Sequence, residues 1–162
     1  MLAGYISEIE FCDSTNREGH AAKVYFNGLF GMDFSRNADN ATNAALNYGY
    51  GLVLSATNRE VVANGYLTQL GLFHDNMFNQ FNLGCDIMEP FRTIVDRKVR
   101  EIMPKAFGKE EKRIILQLLN CEFVIDGRRQ TLLNTIKIYV KSIISAIESG
   151  DISNIKFYKY EL

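Results

Sequence analysis

The chain has no tryptophan, only two prolines (Pro90 and Pro104), two histidines and three cysteines in 162 residues. Each scarcity removes a class of function. Cys12, Cys85 and Cys121 are odd in number, far apart and never in a CxxC spacing, which argues against a zinc knuckle or a disulfide frame and for reduced thiols in a cytoplasmic protein. His20 and His74 cannot form a His-Glu-x-x-His pair, and neither a Gly-x-Ser-x-Gly elbow nor a Gly-x-x-x-x-Gly-Lys loop occurs. Tyr48-Gly49-Tyr50-Gly51 lacks the third glycine and the preceding strand of a dinucleotide fingerprint. Long apolar runs are missing too. The longest charge-free stretch, Asn40 to Asn58, carries four asparagines and is not expected to span a bilayer, and Met1 to Gly4 does not open like a signal peptide. No repeat, linker or low-complexity segment appears.

What is present is an ordinary globular composition, 47% hydrophobic and 23% charged, of a length suited to one domain. The net charge of −1 conceals an asymmetry: residues 1–90 hold 10 acidic and 4 basic side chains, and residues 91–162 hold 9 and 14. A metal site beside a phosphate-binding surface needs such a division, and drift of surface charge also produces it.

Helical periodicity runs through nearly the whole chain. Thr15 or Asn16 caps a helix reaching about Leu29, with Glu18 completing a capping-box pattern after Thr15. Further helices are expected over about Asp39–Thr57, over Asn58–Leu70 with Gly71 as its stop, from Cys85 or Asp86 to Met103, and over Lys109–Asn120. Pro90 fits the fourth only within its first turn or as a kink. The last helix is the plainest, with Leu132, Leu133, Ile136, Tyr139, Val140, Ile143 and Ile147 on one face and Gly150 after it. Asp126-Gly127, between short β-prone segments, suits a small hairpin. The expected fold is therefore all-α, a multi-helix domain over residues 15–162 with one small hairpin. Residues 1–14 have no helical pattern and read as a connector.

Candidate chemistry rests on carboxylates in polar surroundings. Glu18 lies between arginine and histidine, His74 closes a Gly-Leu-Phe-His run, and Asp86 and Glu89 share one face of a helix start. Carboxylates with one imidazole suit Mg2+ or Mn2+ acting on a phosphodiester. The structural alternatives remain open: Glu18 and Glu89 each fit a capping box, Asp86 fits an N-cap, and His74 fits a helix end. Arg92, Arg97, Lys98 and Arg100 begin a segment, residues 92–113, with 8 basic against 4 acidic side chains. It suits phosphate contact or a solvated face. Asn37, Asn40, Asn43 and Asn47 form a polar stripe that reads most simply as a solvent face.

Three strings carry a resemblance to a known family: Thr15-Asn16-Arg17-Glu18-Gly19-His20-Ala21-Ala22-Lys23, then Asn64 through Leu70-Gly71-Leu72-Phe73-His74, then Asp86-Ile87-Met88-Glu89-Pro90-Phe91-Arg92. In this order, with spacings of 56 and 15 residues between Glu18, His74 and Glu89, the chain resembles the catalytic domain of the CRISPR-associated integrase of spacer acquisition. The variants it is most similar to accompany single-protein RNA-guided effectors.

The resemblance implies a metal-dependent DNA endonuclease and integrase that joins 3′ ends of short duplex DNA to a repeat by transesterification. It implies Glu18, His74 and Glu89 as ligands of Mg2+ or Mn2+, with Glu89 a longer arm than the aspartate of many relatives. Asp86 is then a supporting acid and Arg92 a contact to the DNA backbone, while His20 has no place in the motif. The implied partners are double-stranded DNA, a second universal adaptation protein and, in the full-length protein, a second copy of itself. The family's β-rich N-terminal domain has no counterpart in the sequence, so paired joining by this chain alone is expected to be weak. Two other classes remain beside it, a non-catalytic helical DNA-binding module and an unrelated metal phosphohydrolase.

Overall fold

The computed structural model describes residues 15–159 and Gly4. The expected connector, residues 1–14, lies outside the described residues apart from Gly4. Over residues 15–159, five α-helices and one hairpin follow in order: α1 (Arg17–Phe30), α2 (Ala41–Ala63), α3 (Asn82–Ile102), α4 (Lys109–Leu116), β1 (Glu122–Ile125), β2 (Arg128–Thr131) and α5 (Leu132–Ser149). The all-α expectation holds. Among the described residues no helix is long and apolar enough to cross a membrane.

The core is built on α2, which packs against α3, α4 and α5. Leu46, Val53 and Val61 of α2 meet Phe91, Val95 and Val99 of α3 and Leu132, Ile136 and Val140 of α5, each almost fully buried. Gly49 is what lets α2 and α3 approach: a Cβ there would lie 2.4 Å from Cγ1 of Val95. The Tyr-Gly-Tyr-Gly string therefore serves helix packing. Phe91 anchors the far side, edge-on to Tyr139 at 5.3 Å and stacked on Tyr158 at 5.3 Å.

Local signals explain most boundaries. Asn40 caps α2 by accepting from the Asn43 amide at 2.8 Å, and Thr131 caps α5 by accepting from the Asn134 amide at 3.3 Å. Asn16 occupies the N-cap position of α1 without a side-chain cap, so the capping box expected from Thr15 and Glu18 does not form. The β1–β2 hairpin turns at Asp126-Gly127, both at positive φ (53° and 71°), as a two-residue type I′ turn requires.

Three expectations are corrected. Asn58 does not start a new helix; α2 runs through it and ends at Ala63, and residues 64–81 form an extended loop. The fourth expected helix begins at Asn82, one turn early, which puts Pro90 in its interior. There Pro90 has no amide to give to the carbonyl one turn back, while its own carbonyl accepts from Tyr158 at 2.8 Å. On α5, Ile144 is buried and Ile147 is exposed, so the apolar face turns away from Ile147 near the C-terminal end. Cys85 and Cys121 are free thiols.

Candidate functional site

Glu18, His74, Asp86 and Glu89, far apart in sequence, line one cleft of about 630 Å³ together with Ala22, Leu72 and Phe73. Three elements supply them: α1 brings Glu18, the 64–81 loop brings His74, and α3 brings Asp86 and Glu89. The loop is not free to wander, because the first turns of α3 hold it. Asn82, 3% exposed, donates from Nδ2 to the carbonyls of Gln69 and Asn76 at 3.0 Å each. Thr68 bridges the loop's ends, donating from Oγ1 to the Gln80 carbonyl and accepting the Leu83 amide on its own carbonyl.

Asp86 closes the arrangement. One carboxylate oxygen accepts from the amides of Leu72 and Phe73 at 2.5 and 3.0 Å, and the other from the amide of His74 at 3.1 Å. That second oxygen also lies 2.5 Å from Nδ1 of His74. The three successive loop amides thus wrap the carboxylate as helix N-terminal amides wrap an anion, and the carboxylate fixes the imidazole through one nitrogen. Its Nε2 is left for the cleft. Burial pushes the Asp86 carboxyl upward, but the bonds from Phe73, the His74 ring, and the His74 and Leu72 amides outweigh it and hold the carboxyl below its usual range.

Gly71 is needed for this wrap: a Cβ would lie 2.2 Å from the His74 carbonyl oxygen and 2.8 Å from Asp86 Oδ2. Its role is close packing rather than the helix stop expected from sequence. Because α3 starts at Asn82, Asp86 is not an N-cap and Glu89 is not part of a capping box.

Glu89 faces competing charges. Partial desolvation in the cleft raises its carboxyl above the usual range although about half of the side chain stays exposed, and Glu18 and Asp86 add to the rise, while Arg92 and His74 oppose it. Arg92 Nε lies 3.0 Å from Glu89 Oε1, an ion pair without the alignment of a hydrogen bond. Glu89 is therefore turned toward its own helix. Among the described residues, no three His, Cys, Asp or Glu side chains close around a single point in this conformation. The donor set still fits a divalent ion. It holds two carboxylates, an imidazole oriented by a third, and a like-charge strain that a cation would relieve.

The basic residues expected to meet DNA are spread over α3. Arg92 stands at the cleft with its guanidinium 5.1 Å from the ring centre of Tyr50. Arg97 and Lys98 share one carboxylate, Glu101, at 3.4 and 3.1 Å. At about 100° per residue Lys98 leaves α3 on the side opposite Glu89, whereas Arg100 points to the Glu89 side. Arg100 is exposed.

Other polar contacts among these helices carry no signal in the sequence. Asp96, 2% exposed, accepts from Tyr25 Oη at 2.9 Å on one oxygen and from Tyr50 Oη on the other. Arg36 lies between the Phe26 and Tyr50 rings at 5.7 and 5.6 Å and donates to Asn43 and Asn47. The asparagine stripe is thus not a plain solvent face: Asn43 is 4% exposed and Asn40 is a helix cap.

Comparisons with known proteins give the family and the fold. The family profile described as "CRISPR associated protein Cas1" matches residues 13–132, a span that contains every cleft residue. The CRISPR-associated endonuclease Cas1 of Neisseria meningitidis serogroup C (strain 8013) is 34% identical, with 96% of this chain and 55% of that protein aligned. Among solved structures, a casposase bound to integration product superposes with a TM-score of 0.71 at 22% identity, covering 85% of this chain and 48% of that one. A Cas6-RT-Cas1–Cas2 complex gives 0.68 at 20% identity, over 87% and 19%. These two likenesses speak for the fold. The chain spans about half the length of the Neisseria relative. By the profile, and by identity over nearly its whole length, the chain belongs to the CRISPR-associated Cas1 family.

Proposed function

We propose that this chain is the catalytic part of a metal-dependent DNA endonuclease and integrase of CRISPR adaptation, which joins 3′ ends of short duplex DNA to a repeat by transesterification. The observation that carries the reading is the cleft itself, where Glu18 and Glu89 face an imidazole whose Nδ1 is already occupied by Asp86. His74 Nε2, Glu18 and Glu89 would hold Mg2+ or Mn2+, with Asp86 supporting, once Glu89 turns from Arg92. When bound, such an ion polarises a phosphoryl oxygen and stabilises the attacking or leaving oxygen.

The chain's own residues do the rest. Asp86 keeps the imidazole in one tautomer and one orientation. Arg92, released from Glu89, would face a DNA phosphate, and Arg97 and Arg100 would extend the contact without reading sequence, whereas Lys98, on the opposite side of α3, would meet only DNA that wraps round the helix. The nucleophile is a hydroxyl of the DNA or water, so no covalent enzyme intermediate is required. Double-stranded DNA, a Cas2-type second adaptation protein and a second copy of the full-length protein are the proposed partners. The casposase neighbour is described with an integration product, and the other neighbour is described as a complex with Cas2. Family membership removes the reading as an unrelated phosphohydrolase.

The test is cleavage of end-labelled duplex DNA by the chain with Mn2+, Mg2+ or chelator. Metal-dependent nicking that His74→Ala abolishes supports the proposal. Metal-dependent DNA binding without strand cleavage at any enzyme concentration would instead make the chain a non-catalytic binding module.

A further inference from the structure

Glu18 stands on the least embedded helix of the fold. No residue of α1 is fully buried, so the position of α1 beside α3 depends on a few specific contacts. One of them has a telling placement. Tyr25 follows Glu18 on α1 by two turns, and Asp96 follows Glu89 on α3 by the same two turns. Seven residues bring a side chain back to nearly the same face about 10.5 Å further along a helix. Glu18 faces Glu89 across the cleft, and Tyr25 Oη donates to Asp96 Oδ2 at 2.9 Å. The same order of the two pairs at equal spacing sets α1 and α3 in the same direction, bridged by long side chains rather than by close helix packing. Sliding α1 by one turn would displace Glu18 by about 5.4 Å, more than a metal ligand can tolerate.

We infer that Asp96 is a positioning residue of the cleft: through Tyr25 it fixes the register of α1 on α3, and with it the distance of Glu18 from Glu89 and His74. The inference rests on the proposed ligand role of Glu18, His74 and Glu89. Asp96 is suited to the task because it is buried among aromatic side chains with both oxygens engaged. A buried carboxylate so satisfied favours one arrangement strongly, since any slip leaves it unpaired. Its second partner, Tyr50, also lies under Arg92, the residue that pairs with Glu89. The same carboxylate therefore ties α1 to α3 through one phenol and α2 to α3 through the other. Burial raises the pKa of Tyr25 and Tyr50 beyond the usual phenol range, with Asp96 adding to the rise, so both are hydrogen-bond donors near neutral pH.

The test uses Tyr25→Phe, which removes one hydroxyl and leaves the ring in its edge-on contact with Phe26 at 5.2 Å. Amide hydrogen exchange over 17–30 is expected to quicken by about tenfold while α5 keeps its protection. Mn2+ affinity measured by calorimetry is expected to fall about fivefold or more, and kcat for duplex cleavage to fall with KM for DNA within about twofold. Asp96→Ala combined with Tyr25→Phe should be no worse than Asp96→Ala alone, because the alanine already removes the acceptor of the Tyr25 hydroxyl. Wild-type exchange in α1 or wild-type Mn2+ affinity in a folded Tyr25→Phe protein overturns the inference. A wild-type protein that binds no Mn2+, while Tyr25→Phe still quickens exchange in α1, overturns the metal-site reading and leaves the register role standing.

Discussion

Asp86 Oδ1 lies 2.5 Å from Nδ1 of His74 and also accepts the His74 amide at 3.1 Å, so one oxygen orients both the ring and the backbone of the same residue. Removing it should loosen a ligand and a loop together. Asp86→Asn is expected to lower Mn2+ affinity by about 10- to 100-fold, the usual effect of losing such an outer partner. The depressed Asp86 carboxyl contributes stability that is present above the ordinary aspartate range and is lost as pH falls through its folded value. The stability gap between wild type and variant should thus stay constant near neutrality and close only below about pH 4. Thermal melts across pH check this, and a gap that closes near pH 6 would contradict it.

His74→Ala separates metal binding from folding. Because an ion bound only to the native state stabilises by mass action, Mn2+ at about 100 times its Kd should add about 2.7 kcal/mol to the wild type. The variant should keep its helical content by circular dichroism and lose the shift. Equal shifts in both proteins would place the ion elsewhere.

Glu89→Gln should reverse the usual direction of an active-site substitution. The raised Glu89 carboxyl means that ionising it costs the folded state. That cost is absent below the ordinary glutamate range and fully present above the folded value. Without metal, the Gln variant should melt higher than wild type at pH 7–8, with the difference vanishing toward about pH 4, and should show no response to Mn2+. A lower melting temperature at pH 8 would mean that the ion pair with Arg92 outweighs the burial.

Replacing Arg92 and Arg97 together with alanine should weaken binding to unrelated duplexes about equally. It should also reduce the salt dependence by about one unit of log–log slope for each phosphate that is no longer neutralised. Fluorescence anisotropy at several salt concentrations measures both quantities. Unchanged binding moves the DNA surface away from α3.

Gly71→Ala tests the loop. A Cβ at 2.2 Å from a backbone oxygen cannot be absorbed by a side-chain rotation, so the loop must move off Asp86. A loss of about 1–3 kcal/mol is expected, together with weakened Mn2+ binding. Wild-type affinity in this variant would show that His74 can be presented without the wrap.

The sequence reveals the site more fully than the elements that build it. Periodicity and caps locate α5 and the hairpin turn because those signals are local. The 64–81 segment reads as partly helical, yet its hydrogen bonds run to Asn82 and Asp86, partners that no propensity contains. Pro90 suggests a later start for α3, and tertiary packing around Phe91 and Tyr158 overrides that local preference. Asp96 looks like a counter-charge in a basic run. Its meaning depends on tyrosines 46 and 71 residues away, and neither separation leaves a pattern in the chain. The meeting of Glu18 with His74 and Glu89 is legible from motif order, since their spacing alone also fits helix caps.

The fastening of the loop to α3 makes part of the site portable. Gly71, His74, Asp86, Glu89 and Arg92 fall within one short continuous segment whose polar contacts are largely with itself. A hairpin of loop and helix spanning that segment carries an oriented imidazole, its carboxylate partner and a second carboxylate as one physical unit. A host scaffold would then have to contribute a single further acid at the right height on a neighbouring helix.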